Sequence, residues 1–115
     1  MKKIMLIVFN GDPMCFIHVL LNALDMQARA FDCRIIVEGA ATGLIPVLAG
    51  QDHPLNKLWE KTKTAGLVEG VCKACSQKTG ALAAAREQGL ALLDEMSGHP
   101  SIARYRLAGY EIITF

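Results

Sequence analysis

Two cysteines, Cys72 and Cys75, stand with two residues between them where a short apolar run gives way to a helix-forming stretch, in Gly70-Val-Cys-Lys-Ala-Cys-Ser76. That placement points to thiol chemistry. A sulfur at the start of a helix meets unpaired backbone N–H groups and the positive end of the helix dipole, and both favour the thiolate, which is the reactive form. Lys73 and Lys78 add positive charge nearby. On these grounds Cys72 is expected to be more acidic than a free cysteine, whose pKa is about 8.5. Burial and the acidic residues Glu38, Asp94 and Glu95 would act in the opposite sense.

The CxxC pair has several readings. As a redox pair it shares the thioredoxin spacing but lacks the flanking Trp and Pro. As half of a zinc site it has no second close pair, because Cys15, Cys33, His53 and His99 are scattered along the chain. A third reading is one reactive thiolate, Cys72, with Cys75 as auxiliary. A fourth is two buried cysteines packing as small apolar groups. Cys15 and His18 share a helix face at i and i+3, which a solvated surface explains as well as a metal does. His53 and His99 each precede a proline and belong to loops or caps. No GxGxxG or Walker pattern supports nucleotide binding.

The elements that position these residues can be read from apolar runs. Ile4–Phe9 is continuous and stops at Asn10-Gly11-Asp12-Pro13, as a strand covered on both faces would. The same run after Lys2 and Lys3 resembles a signal peptide, but no small-residue cleavage site follows, so a buried strand fits better. Asp12 caps a helix with Pro13 at its first position, and Ile17, Leu20, Leu21, Leu24 and Ala28 supply its inward face. Further strands are expected at Arg34–Glu38, Leu67–Cys72, Leu90–Leu93 and Tyr110–Phe115. Helices are expected at Thr42–Ala49, Lys57–Ala65, Gln77–Gln88 and from Pro100 to about Ala108.

Alternating strands and helices predict a three-layer α/β/α fold with a five-stranded, mainly parallel sheet in a single domain spanning residues 1–115. In such sheets ligands collect beyond the C-terminal strand ends. That rule gathers Asn10, Gly11 and Asp12, then Glu38 and Gly39, then Cys72, and finally Asp94 and Glu95 at one edge. Cys33 falls at the opposite end and is expected to be inert.

The 115 residues carry 12 basic and 11 acidic side chains, for a net charge of +1. This balance excludes a strongly basic nucleic-acid surface and an anionic-membrane binder. No apolar stretch approaches the ~20 residues of a membrane helix. A cytoplasmic location is expected, where four cysteines are free, catalytic or metal-bound rather than structural disulfides.

Over nearly its whole length the chain resembles the DsrE-like sulfur-relay family, which includes TusD and YchN-type proteins. The resemblance rests on Ile4–Phe9, His18-Val-Leu-Leu-Asn-Ala-Leu-Asp25, Val37-Glu38-Gly39, Gly70 to Gly80, and the ending Ile113-Thr114-Phe115. It implies a persulfide carried on Cys72, eight residues before Gly80. Cys75 matches a second cysteine of some relatives, and Glu38 a common glutamate. It also implies a homotrimer or homohexamer, with sulfur donor and acceptor proteins as partners and no cofactor. The first loop, Asn10 to Pro13, departs from TusD-type members; with Glu38, Asn10 and Gly11 are the candidate substrate-binding residues. The alternative is a non-catalytic oligomeric binding module that holds a small ligand or metal in a strand-end pocket, and a buried, neutral Cys72 would favour it.

Overall fold

The structure is a computed structural model describing residues 1–115. Five strands, β1 (Lys3–Val8), β2 (Asp32–Val37), β3 (Val68–Cys72), β4 (Leu92–Leu93) and β5 (Glu111–Thr114), form one sheet in the order β4-β3-β2-β1-β5. Every pairing is parallel. A parallel sheet needs crossover connections, and helices supply them: α1 (Pro13–Ala28), α2 (Ile45–Leu48), α3 (Asn56–Thr64), α4 (Lys73–Thr79), α5 (Leu82–Glu87) and α6 (Ile102–Leu107). No helix is long and apolar enough to cross a membrane.

The two faces of the sheet are covered unequally. Alternate residues of the strands, Ile4, Leu6, Val8, Ile35, Val37 and Val71, enter a large cluster with Phe16, Val19 and Leu20 of α1, Ile45 and Leu48 of α2, Trp59 of α3 and Ala85 of α5. Phe16 and Trp59 meet edge to face at 5.8 Å, and the Trp59 indole N–H donates to Gln88 Oε1 at 2.9 Å. The other face, with Met5, Ile7, Ile36 and Leu93, is closed by Tyr105 of α6 and by Tyr110. Both tyrosine hydroxyls are satisfied there, Tyr105 donating to Glu69 Oε2 and Tyr110 to Asp32 Oδ2, each at 3.0 Å.

Three details differ from the sequence expectation. First, α1 is rotated: Phe16, Val19, Leu20 and Ala23 are fully buried, while Leu21 is 47% exposed. Residues 13–24 are apolar on almost every side, so periodicity there does not fix the phase. Second, Thr42–Ala49 is not one helix, because a 3-10 turn over Gly39–Leu44 precedes α2. Third, Gln77–Gln88 is not one helix either. Gly80 takes a left-handed C-cap (φ 79°) that ends α4, and α5 restarts after Ala81, as glycine at this position allows. Consequently α4 begins directly at Lys73, with Cys72 as its N-cap.

The register between β2 and β3 slips by one residue, Ile35 opposing Val68 and Ile36 opposing Gly70. The extra residue is Glu69, whose carboxylate meets Arg34 at 3.3 Å. Beyond it Gly70 permits an unusually close approach by β4: a Cβ there would lie 2.7 Å from Ala91 O and 2.8 Å from Leu93 Cγ. The chain leaving β4 is therefore drawn tightly against the end of β3.

Candidate functional site

Cys72 ends β3 opposite Leu93 of β4. Because Val37 pairs with Val71, Glu38 stands beside Cys72 on the other flank. The first turn of α4 then curls over the sulfur. The Cys75 N–H donates to Cys72 Sγ at 3.3 Å, and the buried Ser76 hydroxyl donates to the Cys72 carbonyl at 2.7 Å.

The third member of the site comes from the loop after β4. His99 Nδ1 lies 3.1 Å from Cys72 Sγ and 3.8 Å from Cys75 Sγ. The loop is wound tightly to put it there. Ser97 has φ 50° and Gly98 φ 90°, and a left-handed serine stores on the order of 1 kcal/mol of strain. The turn is held by Gly98 N–H to Asp94 O (3.1 Å) and by reciprocal bonds between Met96 and His99, both 2.9 Å. It is fastened to α4 by the Ala74 N–H donating to Gly98 O at 2.9 Å. Glu95 accepts from the Ser101 N–H at 3.2 Å and from Arg104 at 3.3 Å, which secures the far side of the loop.

The electrostatics reverse the expectation for Cys72. Its residue is 0% exposed, and burial pushes the thiol up to about 12, with the Cys75 thiol and the Glu38 charge adding to the rise. A single amide, that of Cys75, opposes this. The expected array of helix N–H groups reduces to one because the neighbouring Ala74 N–H donates to Gly98 O instead, and Lys73 is paired with Asp94 at 3.6 Å. Glu38 is itself buried, and desolvation holds its carboxyl above the usual glutamate range. Ionisation of Cys72 at neutral pH therefore needs a local proton acceptor, and the imidazole in contact with it is one. With its proton on Nε2, His99 accepts the thiol proton at Nδ1.

No family model and no solved structure matches the chain. Over 96 residues it is 31% identical to "Uncharacterized protein MJ0733" of Methanocaldococcus jannaschii, an alignment covering 84% of this chain and 76% of that protein. The chain belongs to the family of MJ0733. A second archaeal relative, an "Uncharacterized protein" of Archaeoglobus fulgidus, is 37% identical over 56 residues, which is 49% of this chain and 90% of the relative. Neither name states an activity.

Of the residues singled out in the sequence, the structure brings together Cys72, Cys75 and Glu38. Asn10 and Gly11 sit at the same sheet edge but make no hydrogen bond to the thiols. The Asn10 side-chain oxygen accepts from the Asp12 N–H at 2.8 Å and shapes the turn into α1, while Gly11 packs on Ala40. Asp12 caps α1 by accepting from the Met14 N–H at 2.9 Å, as expected. His53 shapes the turn that leads into α3, its Nδ1 accepting from the Leu55 N–H at 3.0 Å. The concavity of this surface, about 330 Å³, is lined by Pro13, Met14, Ile17, His53, Pro54 and Leu55 and shares no residue with the thiol cluster. His99, assigned in the sequence to a loop or cap, is the side chain that the structure adds to the thiol pair. It lies 27 positions from Cys72, and the one available signal was its place in the loop after the fourth strand, at the edge already credited to Asp94 and Glu95.

Proposed function

We propose that the chain is a sulfur-relay protein that carries a persulfide on Cys72. The observation that supports this is the 3.1 Å contact between Cys72 Sγ and His99 Nδ1, which gives a buried thiol the base it needs to become a nucleophile. His99 takes the Cys72 proton as the sulfur attacks the terminal sulfur of a donor persulfide. The donor's S–S bond breaks, a new S–S bond joins the terminal sulfur to Cys72, and the proton passes to the departing donor thiolate. An acceptor thiol then takes the terminal sulfur: its sulfur attacks, the S–S bond to Cys72 breaks, and the acceptor's proton passes to Cys72, which is left as the thiol. In a competing step the Cys75 thiolate attacks Cys72 Sγ and expels hydrosulfide, giving a Cys72–Cys75 disulfide, and an external thiol reductant restores the pair.

The likeness to DsrE-like proteins in Gly70 to Gly80 is a further support. In that setting the partners are protein donors and acceptors of sulfur, the assembly is a homotrimer or homohexamer, the location is cytoplasmic and no organic cofactor takes part. Intact-mass measurement after exposure to a persulfide donor tests the proposal. The expected result is one added sulfur per chain, mapped to Cys72 and removed by reductant. Sulfur that still loads in Cys72→Ser overturns it.

A second reading has its own observation. A buried thiol pushed up to about 12 is the condition that favours a binding module, in which Cys72 is a ligand rather than a nucleophile.

A further inference from the structure

Cys72, Cys75 and His99 offer three donor atoms that all lie within 4.8 Å of one another. Two of the separations are 3.1 Å (Cys72 Sγ to His99 Nδ1) and 3.8 Å (Cys75 Sγ to His99 Nδ1). Around a tetrahedral zinc ion, with Zn–S of about 2.3 Å and Zn–N of about 2.1 Å, neighbouring donors sit about 3.5–3.8 Å apart. The shorter pair need only spread by a few tenths of an ångström to admit the ion, and the longer pair already has the spacing.

We infer that these three side chains form an open, three-ligand site for a thiophilic divalent cation, Zn²⁺ being the best match. The inference takes up the binding reading of the same cluster and does not require sulfur transfer. Two sulfurs and an imidazole nitrogen select zinc over hard, oxygen-seeking cations such as Mg²⁺ or Ca²⁺. The C-x₂-C spacing places both sulfurs on one turn, as thiolate zinc sites commonly do, and the histidine arrives from a separate, fastened loop. On binding, the thiol protons of Cys72 and Cys75 leave to solvent, and His99 coordinates through Nδ1 with its remaining proton on Nε2.

Three ligands leave the fourth tetrahedral position open, to be taken by water or by a ligand from outside. Cys72 is buried, whereas Cys75 and His99 are partly exposed, so the open position faces solvent on the side of those two residues. An open position is what distinguishes exchangeable and catalytic zinc from structural zinc, which is closed by a fourth protein ligand. A bound ion also draws charge from the Cys72 sulfur that would attack a persulfide, so zinc should slow sulfur loading.

Titration of the reduced protein with Co²⁺, in the absence of any sulfur donor, tests the site. The expected result is one ion per chain with a thiolate-to-cobalt charge-transfer band and the intense visible absorption of four-coordinate cobalt, both displaced by equimolar Zn²⁺. Cys75→Ser and His99→Ala, at partly exposed positions, should each weaken Co²⁺ binding by at least about tenfold, with folding checked by circular dichroism. His18→Ala, on the surface of α1, should leave it unchanged. Absence of the charge-transfer band in the wild type, or a smaller loss in either of the first two variants, overturns the site. Because no sulfur donor is present, a failure here leaves sulfur loading of Cys72 to be judged on its own measurement.

Discussion

Cys33 and Cys72 lie at opposite ends of the same sheet and share most of what a simple description would record. Cys33, near the start of β2, is 2% exposed, and burial with the Asp32 charge pushes its thiol up to about 11. Cys72, at the end of β3, is 0% exposed and is pushed up to about 12. They differ in company. Cys33 is part of the large apolar cluster, and no hydrogen-bonding side chain meets its sulfur. Cys72 touches an imidazole, a second thiol's backbone amide and a loop carbonyl. Burial is therefore common to both, and what separates Cys72 from Cys33 is a neighbouring group able to take its proton.

The comparison can be broken most sharply by exchanging the two thiols' roles in a sulfur-loading assay. Cys72→Ser should abolish loading, whereas Cys33→Ser should leave it at the wild-type level, both read by intact mass. The stability effects should not follow the same order. A serine hydroxyl placed in the apolar surroundings of Cys33 costs about 1–3 kcal/mol, visible as a lower urea midpoint.

Gly70→Ala probes how the partner is delivered. The added methyl would meet Ala91 O at 2.7 Å and Leu93 Cγ at 2.8 Å, so β4 must move off β3. We expect a loss of about 1–3 kcal/mol in denaturant unfolding, together with slower alkylation of Cys72 as the His99 loop recedes.

Glu38→Gln should have the smallest effect, in two directions. Burial is the main cause of the raised Cys72 thiol, and removing the small contribution of the Glu38 charge should let it ionise at slightly lower pH, seen as faster alkylation above neutrality. The sign for stability follows from Glu38 itself. Its folded-state carboxyl is raised by desolvation, so the folded chain holds that proton more tightly than the unfolded chain. Its contribution is present below the ordinary glutamate range and is lost as pH rises through the raised folded value. Urea midpoints measured from acid to neutral pH should show that decline in the wild type and a flatter profile in Glu38→Gln.

The sheet was legible in the sequence because parallel strands buried on both faces are written as unbroken apolar runs, and Ile4–Phe9 and Ile35-Ile36-Val37 are such runs. The parallel arrangement, the capping by Asp12 and Pro13, and the place of Cys33 at the opposite end of the sheet from Cys72 followed from the same reading. The phase of α1 did not, since an all-round apolar segment carries no moment to orient it. The split at Gly80 was hidden in an alanine-rich stretch whose propensity is helical on either side. The acidity of Cys72 was misjudged because sequence shows a helix start but neither the full burial of the sulfur nor the diversion of the Ala74 amide to Gly98 O. His99 was hidden because its contact depends on β4 lying beside β3 and on the wound turn at Ser97 and Gly98, neither of which a spacing pattern records.

The central claim is that His99 makes Cys72 reactive while Cys33, equally buried, stays inert. The direct measurement is native-state alkylation at neutral pH in a Cys75→Ser background, followed by peptide mapping, with and without His99→Gln. The account predicts that Cys72 is modified while the protein is folded, that Cys33 is modified only on unfolding, and that His99→Gln slows the Cys72 reaction by about a hundredfold or more, as loss of a general base does. Equal rates at the two cysteines, or a Cys72 rate unchanged by His99→Gln, would contradict it.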